Sequence, residues 1–238
     1  LLATLKRFHP NDVVVKQFST KIEGSVTGAD WEWWFHSDDG WFGMRVQAKR
    51  INCKSRCYPK LNKFSGSSKD KQVDRLITDA EKWGLYPIYC FYNYWDTSVV
   101  EVPSNCRSFP PIDEHYGCTV SDAYFVRSRI NLSKSAISDF LSGSFPWMCL
   151  VCCKSVFASL PYKTRAFVED LLRETLTITD GTIDDDIPEV PPVREEPPEY
   201  IQNLVRSHGD LPEEINAEEF GFSPTLNGVL LIGERKEE

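Results

Sequence analysis

The sequence lacks any run of about 18 apolar residues, the length a membrane-spanning helix requires, so no membrane span is expected. It also lacks a signal-peptide pattern, which makes a cytoplasmic setting with reduced thiols the expectation. Its eight cysteines are too sparse in 238 residues for a small disulfide scaffold. Cys53-x3-Cys57 and Cys149-x2-Cys152-Cys153 could gather a zinc ion, but "PWMCLVCC" (Pro146 to Cys153) reads more simply as an apolar run with buried thiols. No internal repeat recurs, which argues against a solenoid. Neither His36 nor His115 has a Cys or Ser partner at a spacing that suggests nucleophilic catalysis.

What is present is unevenly charged. The formal net charge is −8, yet residues 176–238 hold 16 Asp and Glu against 4 Lys and Arg. That leaves 23 basic and 19 acidic residues in 1–175, a mildly basic body that permits a phosphate-bearing partner without requiring one. Residues 1–175 are therefore read as one domain, and 176–238 as an acidic, proline-rich linker and extension. That extension reads as a dimer strap, a regulatory-partner arm or an autoinhibitory mimic of nucleic acid.

Periodicity orders the elements. "LLATLKRF" reads as the end of an amphipathic helix, stopped by Pro10. "DVVVKQF" (Asp12 to Phe18) is β-branched, and "ADWEWWF" alternates sharply before the turn residues Ser37 to Gly40 and a second strand, "WFGMRVQAKR". Val73, Leu76, Ile77, Ala80 and Trp83 form one helical face ended by Gly84, and "YPIYCFYN" follows as a buried strand. Tyr94 to Cys118 reads as irregular. "TVSDAYFVRSRI" reads as a helix opened by the Thr119-x-x-Asp122 capping spacing, and Ser133 to Leu141 as a shorter one. A buried segment around Trp147 to Cys152, a helix from Pro161 to Thr175, a short helix Glu199 to Ser207 and a final strand Gly228 to Glu234 complete the chain.

The central hairpin raises the functional question. Strand alternation places Asp30, Glu32 and Trp34 on one face, and Arg45, Gln47 and Lys49 on one face of the partner strand. If those faces meet, carboxylate and amide oxygens converge with an ammonium, an inventory suited to a hard cation and an attacked phosphodiester. The plainer alternative is a solvated strand face with surface ion pairs worth about 0–1 kcal/mol. Trp31, Trp33 and Phe35 on the opposite face read as core rather than as a base-stacking platform.

The ordered segments "GADWEWWF", "RVQAKR", "YPKL", "QVDRLI", "YPIYCFYN", "YGCTVSDAYFVR" and "PWMCLVC", from Gly28 to about Cys152, resemble the PD-(D/E)XK (restriction-endonuclease-like) nuclease superfamily. The likeness is to its Gln-x-Lys branch, and closest to an uncharacterised bacterial family of such proteins. The resemblance implies an α/β core of helix, three strands, helix and strand, with a mixed sheet flanked by helices. It implies a Mg²⁺- or Mn²⁺-dependent endonuclease acting on DNA, with a homodimer as one arrangement and a role in defence against foreign DNA. Asp30 would bind the metal, Gln47 stand in the acid's place, Lys49 act as the catalytic lysine and the Ala48 carbonyl be a further metal ligand. A glutamate of the first helix would lie upstream of Leu1. Glu32 is the candidate for the missing carboxylate, with Glu23 and, on the next helix, Gln72 as secondary candidates. Lys54, Arg56, Lys60, Lys63, Lys69 and Lys71 surround the connection after the hairpin as a phosphate track or a solvated loop. The alternative is the same fold without catalysis, binding nucleic acid or a protein partner.

Overall fold

A long strand, β3 (Gly40–Arg50), runs through the middle of the molecule and explains most of its layout. The computed structural model describes residues 2–19, 27–61, 70–94, 96, 100–101, 103, 110, 112–152, 158–178, 188–207, 209 and 211–234. Within them the order is α1 (Leu2–Phe8), β1 (Val13–Phe18), β2 (Trp31–Ser37), β3, α2 (Gln72–Trp83) and β4 (Tyr86–Tyr92). This is the helix, three strands, helix, strand order that the periodicity predicts. There follow β5 (Cys118–Asp122), α3 (Ala123–Asn131), β6 (Ser144–Pro146), α4 (Cys149–Cys152), α5 (Leu160–Ile178), α6 (Glu199–Ser207), β7 (Glu214–Ile215) and β8 (Gly228–Gly233).

Among the described residues the strands form one mixed eight-stranded sheet, β6-β5-β4-β3-β2-β8-β1-β7, flanked by helices. β3 pairs antiparallel with β2 and parallel with β4. Trp33, Phe35, Met44 and Val46 fill the face covered by α5, with Trp147 edge-on to Trp33 at 6.2 Å. Trp33 and Phe35 are core aromatics, as the alternation predicts, whereas Trp31 is only half-buried and packs against that core. α2 covers the other face, and Gly84, at φ 61°, ends it by donating its N–H to Ala80 and Glu81 carbonyls.

Three expectations are corrected. β8 lies between β1 and β2, antiparallel to the first and parallel to the second, with Val229, Leu230 and Leu231 buried. Residues 176–238 are thus no appendage to a 1–175 domain, because the sheet is continuous only with β8 in place. The described residues 188–198 before α6 are a strap: Arg194 exchanges backbone hydrogen bonds with Trp41 and donates through Nη2 to the Trp83 and Gly84 carbonyls. Second, "TVSD" is strand β5, with Val120 in the core. The helix begins only after it, where the side chain of Asp122 accepts from the Phe125 N–H at 2.9 Å. Third, Ser133 to Leu141 holds one short 3-10 turn, Ile137–Asp139, and runs into a second, Leu141–Gly143, rather than forming a helix.

Candidate active site

The sheet register decides which polar side chains meet. Trp31 pairs with Val46 and Glu32 with Arg45, and the Asp30 N–H donates to the Val46 carbonyl at 2.9 Å. Asp30 therefore stands just before β2, beside Gln47, with its own carbonyl accepting from the Asn227 N–H that leads into β8 at 2.6 Å. Gly28 sets the approach to this position. Its φ is +71°, and a Cβ there would sit 2.5 Å from the Gln72 carbonyl oxygen and 2.6 Å from the Leu76 nitrogen. Only glycine lets the chain before Asp30 press this closely on the first turn of α2.

A line of hydrogen bonds results. Lys49 Nζ donates to Gln72 Oε1 at 2.7 Å, and Gln72 Nε2 donates to Gln47 Oε1 at 2.6 Å. Gln47 Nε2 donates to Asp30 Oδ2 and, at 3.0 Å, to the Ala48 carbonyl, while the Ala48 N–H donates to Asp30 Oδ2 at 2.9 Å. Gln47 and Gln72 are buried, whereas Asp30, Ala48 and Lys49 are half-buried at the end where the group meets solvent. The structure thus brings together Asp30, Gln47, Ala48, Lys49 and Gln72. Of these, Gln72 is the one that the sequence offers only as a secondary candidate.

Burial pushes the Asp30 carboxyl above its ordinary range, against the pull of the Ala48 N–H, the nearby Lys49 ammonium and the Gln47 amide. A cation against Asp30 would reverse that shift. The oxygens within this group are those of Asp30, the Ala48 carbonyl and the Gln47 and Gln72 amides, donors that suit a hard ion such as Mg²⁺ or Mn²⁺ rather than a soft one; Gln47 faces Asp30 with its NH2, so its oxygen would reach a cation there only with the amide turned over. With one carboxylate, the rest of such a shell would come from water and substrate. No group of three or more His, Cys, Asp or Glu side chains gathers among the described residues.

Glu32 does not join it. Two residues along the same strand face, its carboxylate accepts from Trp34 Nε1 at 2.6 Å, from Tyr200 Oη at 3.0 Å and from Arg45 Nη1. Arg45 Nε lies 2.9 Å from Asp79 Oδ2 on α2. With no exposure and both oxygens engaged, Glu32 is Arg45's buried counter-ion rather than the missing metal-binding carboxylate. Glu23 lies outside the described residues, as do Lys63 and Lys69. His36 is stacked on Trp41 at 4.2 Å, and burial lowers its pKa.

One residue beside the site carries no local signal in the sequence. Tyr89 pairs with Gln47 across β3 and β4, so it faces the same way; its ring is fully buried and its hydroxyl makes no hydrogen bond among the described residues. Burial, with Asp30 and then Asp74 nearby, holds that hydroxyl firmly protonated. Alternation along "YPIYCFY" separates Tyr89 from Tyr86, but only the register with β3 reveals its neighbour.

A family model described as a family of unknown function (DUF6615) matches residues 1–238. The chain belongs to this family. No curated protein and no solved structure matches it.

Proposed function

We propose that this DUF6615 chain is a metal-dependent nuclease of the restriction-endonuclease-like fold, hydrolysing phosphodiester bonds in DNA. The observation that carries the reading is the line joining the Asp30 carboxylate to the Lys49 ammonium through two buried amides. A carboxylate and an ammonium held apart by neutral spacers, at a solvent-facing edge, form a poor stability device and a good phosphodiester site. Asp30, Gln47 and the Ala48 carbonyl would hold Mg²⁺ or Mn²⁺, which supplies a water of lowered pKa and charge to the phosphate. Lys49 is placed to stabilise the negative charge that builds on the phosphate oxygens, with Gln72 fixing its ammonium. Gln72 leaves that charge undiminished because it is neutral. Tyr89 and the wall of α2 keep the inner side of the group dry, where such interactions are strongest. A cytoplasmic setting, a defence role and a homodimer, since paired cuts in duplex DNA need two centres, belong to the same proposal.

One observation favours a second reading, a nucleic-acid-binding fold without catalysis. Asp30 Oδ2 already accepts two N–H donors, so the group is satisfied without a cation. Cleavage decides between them. Supercoiled plasmid and single-stranded DNA are incubated with Mg²⁺ or Mn²⁺ and the parent, Lys49→Ala or Asp30→Ala. Nicking by the parent, lost in both variants, is the expected result. Cutting that survives both substitutions would reject this site, and an inert parent that still binds DNA would favour the second reading.

A further inference from the structure

Two acid-free stretches, far apart in sequence, are stitched together beside the candidate site. Residues 50–61 carry Arg50, Lys54, Arg56 and Lys60, residues 123–138 carry Arg127, Arg129 and Lys134, and neither stretch contains an Asp or Glu. With 35 acids in 238 residues, 28 residues drawn at random from this chain would hold about four. The fold joins the two by backbone contacts: Cys57 bridges Ala136, the Tyr58 N–H donates to Ser135 at 2.9 Å and the Ile137 N–H to Arg56 at 2.9 Å. Lys71, at the cap of α2, adds a further cation and ties the end of α3 to the site helix through Asn131 at 2.7 Å.

The turn is rigidly built. Asn52 and Cys57 form a bridge, the Asn52 side chain accepts from the N–H groups of Lys54 and Ser55, and Arg56 and Lys60 hold left-handed backbones at φ 54° and 61°. Lys54, Arg56 and Lys60 are exposed, and none pairs with a carboxylate among the described residues. The turn opens one residue after Lys49, so its cations lead directly off the candidate site. It exposes no large apolar side chain, the anchor that a protein partner's hot spot requires. Like charges fixed on a rigid turn suit instead a partner whose negative charge repeats regularly, the sugar–phosphate backbone.

We propose that the 50–61 turn, together with Lys71, is the surface on which this chain holds a nucleic-acid backbone leading into the Asp30–Lys49 site; Lys134 is already paired with Asp139 at 3.8 Å and takes no part. The choice of partner rests on the nuclease reading; the surface itself does not. Removing one phosphate-binding cation should lower the slope of log affinity against log salt by about 0.9.

The test is fluorescence anisotropy of a labelled duplex in chelator, where nothing is cut. It compares the parent, K54E/R56E/K60E, the neutral K54Q/R56Q/K60Q, and a control with the same charge change on other exposed sites, R7E/K82E/R206E. Circular dichroism melts confirm that each is folded. The expected result is a loss of at least about tenfold in affinity for the K54E triple, and a drop of about 2.7 in salt slope for the glutamine triple. The control should weaken by less than about threefold. Equal weakening of the control and the K54E triple would overturn the proposal, as would a parent that does not bind, or displacement of DNA by poly-glutamate at matched charge. Cleavage is scored separately: cutting with unchanged binding in the triple sinks the surface alone, and weakened binding with no cutting by the parent sinks the site reading alone.

Discussion

Two polar groups lie side by side on one face of β2 and β3, and they are built for opposite ends. In the first, Glu32, Arg45 and Asp79 meet with Trp34 and Tyr200 as further donors, and the Arg45 and Glu32 side chains are 3% and 0% exposed. Every charge there has a partner of opposite sign, and Tyr200 of α6 covers Glu32. In the second, two residues away along the hairpin, Asp30 and Lys49 are separated by Gln47 and Gln72 and remain half-open. The same sheet geometry thus yields a closed ion network and an open, neutral-bridged one. What differs is the residue opposite each carboxylate: arginine opposite Glu32, glutamine beside Asp30. The first holds α6 and α2 to the sheet, and the second joins its two charges through neutral amides at a half-open edge.

The sharpest way to break the comparison is Arg45→Ala. It leaves Glu32 buried without a counter-ion and should cost about 3–5 kcal/mol in urea unfolding. Any loss of cleavage should then follow loss of fold. Next comes Gly28→Ala, which forces a Cβ into the α2 backbone at positive φ, with an expected cost of about 1–3 kcal/mol. Because Gly28 leads into Asp30, its cleavage should fall more than its unfolding midpoint suggests, as measured in the same preparations.

Gln72→Ala should cost less, about 1–2 kcal/mol, since it leaves the buried Gln47 oxygen without its donor while half-buried Lys49 can still find water. Its effect on cleavage should be far larger, about a hundredfold, because the ammonium is no longer positioned. An activity loss no greater than its small stability loss would remove Gln72 from the site.

The smallest effect has the opposite sign. A carboxyl whose folded pKa lies above its unfolded value adds stability below the unfolded value and loses it as pH rises through the folded one. Asp30 is such a group, so Asp30→Asn should be slightly more stable than the parent at neutral pH, the gain fading on acidification. Asp122, pushed to about 6 by burial, contributes the same trend to both proteins, so the difference between their melting curves isolates Asp30.

Local patterns carry most of the elements and half of the site. The 3.6-residue spacing from Val73 and the glycine after Trp83 are enough for α2, and alternation puts Asp30, Gln47 and Lys49 on the proper faces. What stays hidden depends on pairing between distant segments. "GVLLIGE" reads as a strand, but nothing local says that it enters between β1 and β2. Glu32 looks equivalent to Asp30 until the register sets Arg45 opposite it. In "TVSDAYF" the capping residue is visible, yet the spacing of Thr119 and Asp122 conceals a strand of only five residues before the helix.

The central claim, that Asp30 and not Glu32 is the functional carboxylate of this face, is tested most directly by Mn²⁺ titration followed by electron paramagnetic resonance. Parent, Asp30→Asn and Glu32→Gln are compared, each verified as folded. The expected result is that the parent and Glu32→Gln bind Mn²⁺ with similar affinity and that Asp30→Asn does not. Binding unchanged in Asp30→Asn, or abolished in a folded Glu32→Gln, would contradict it.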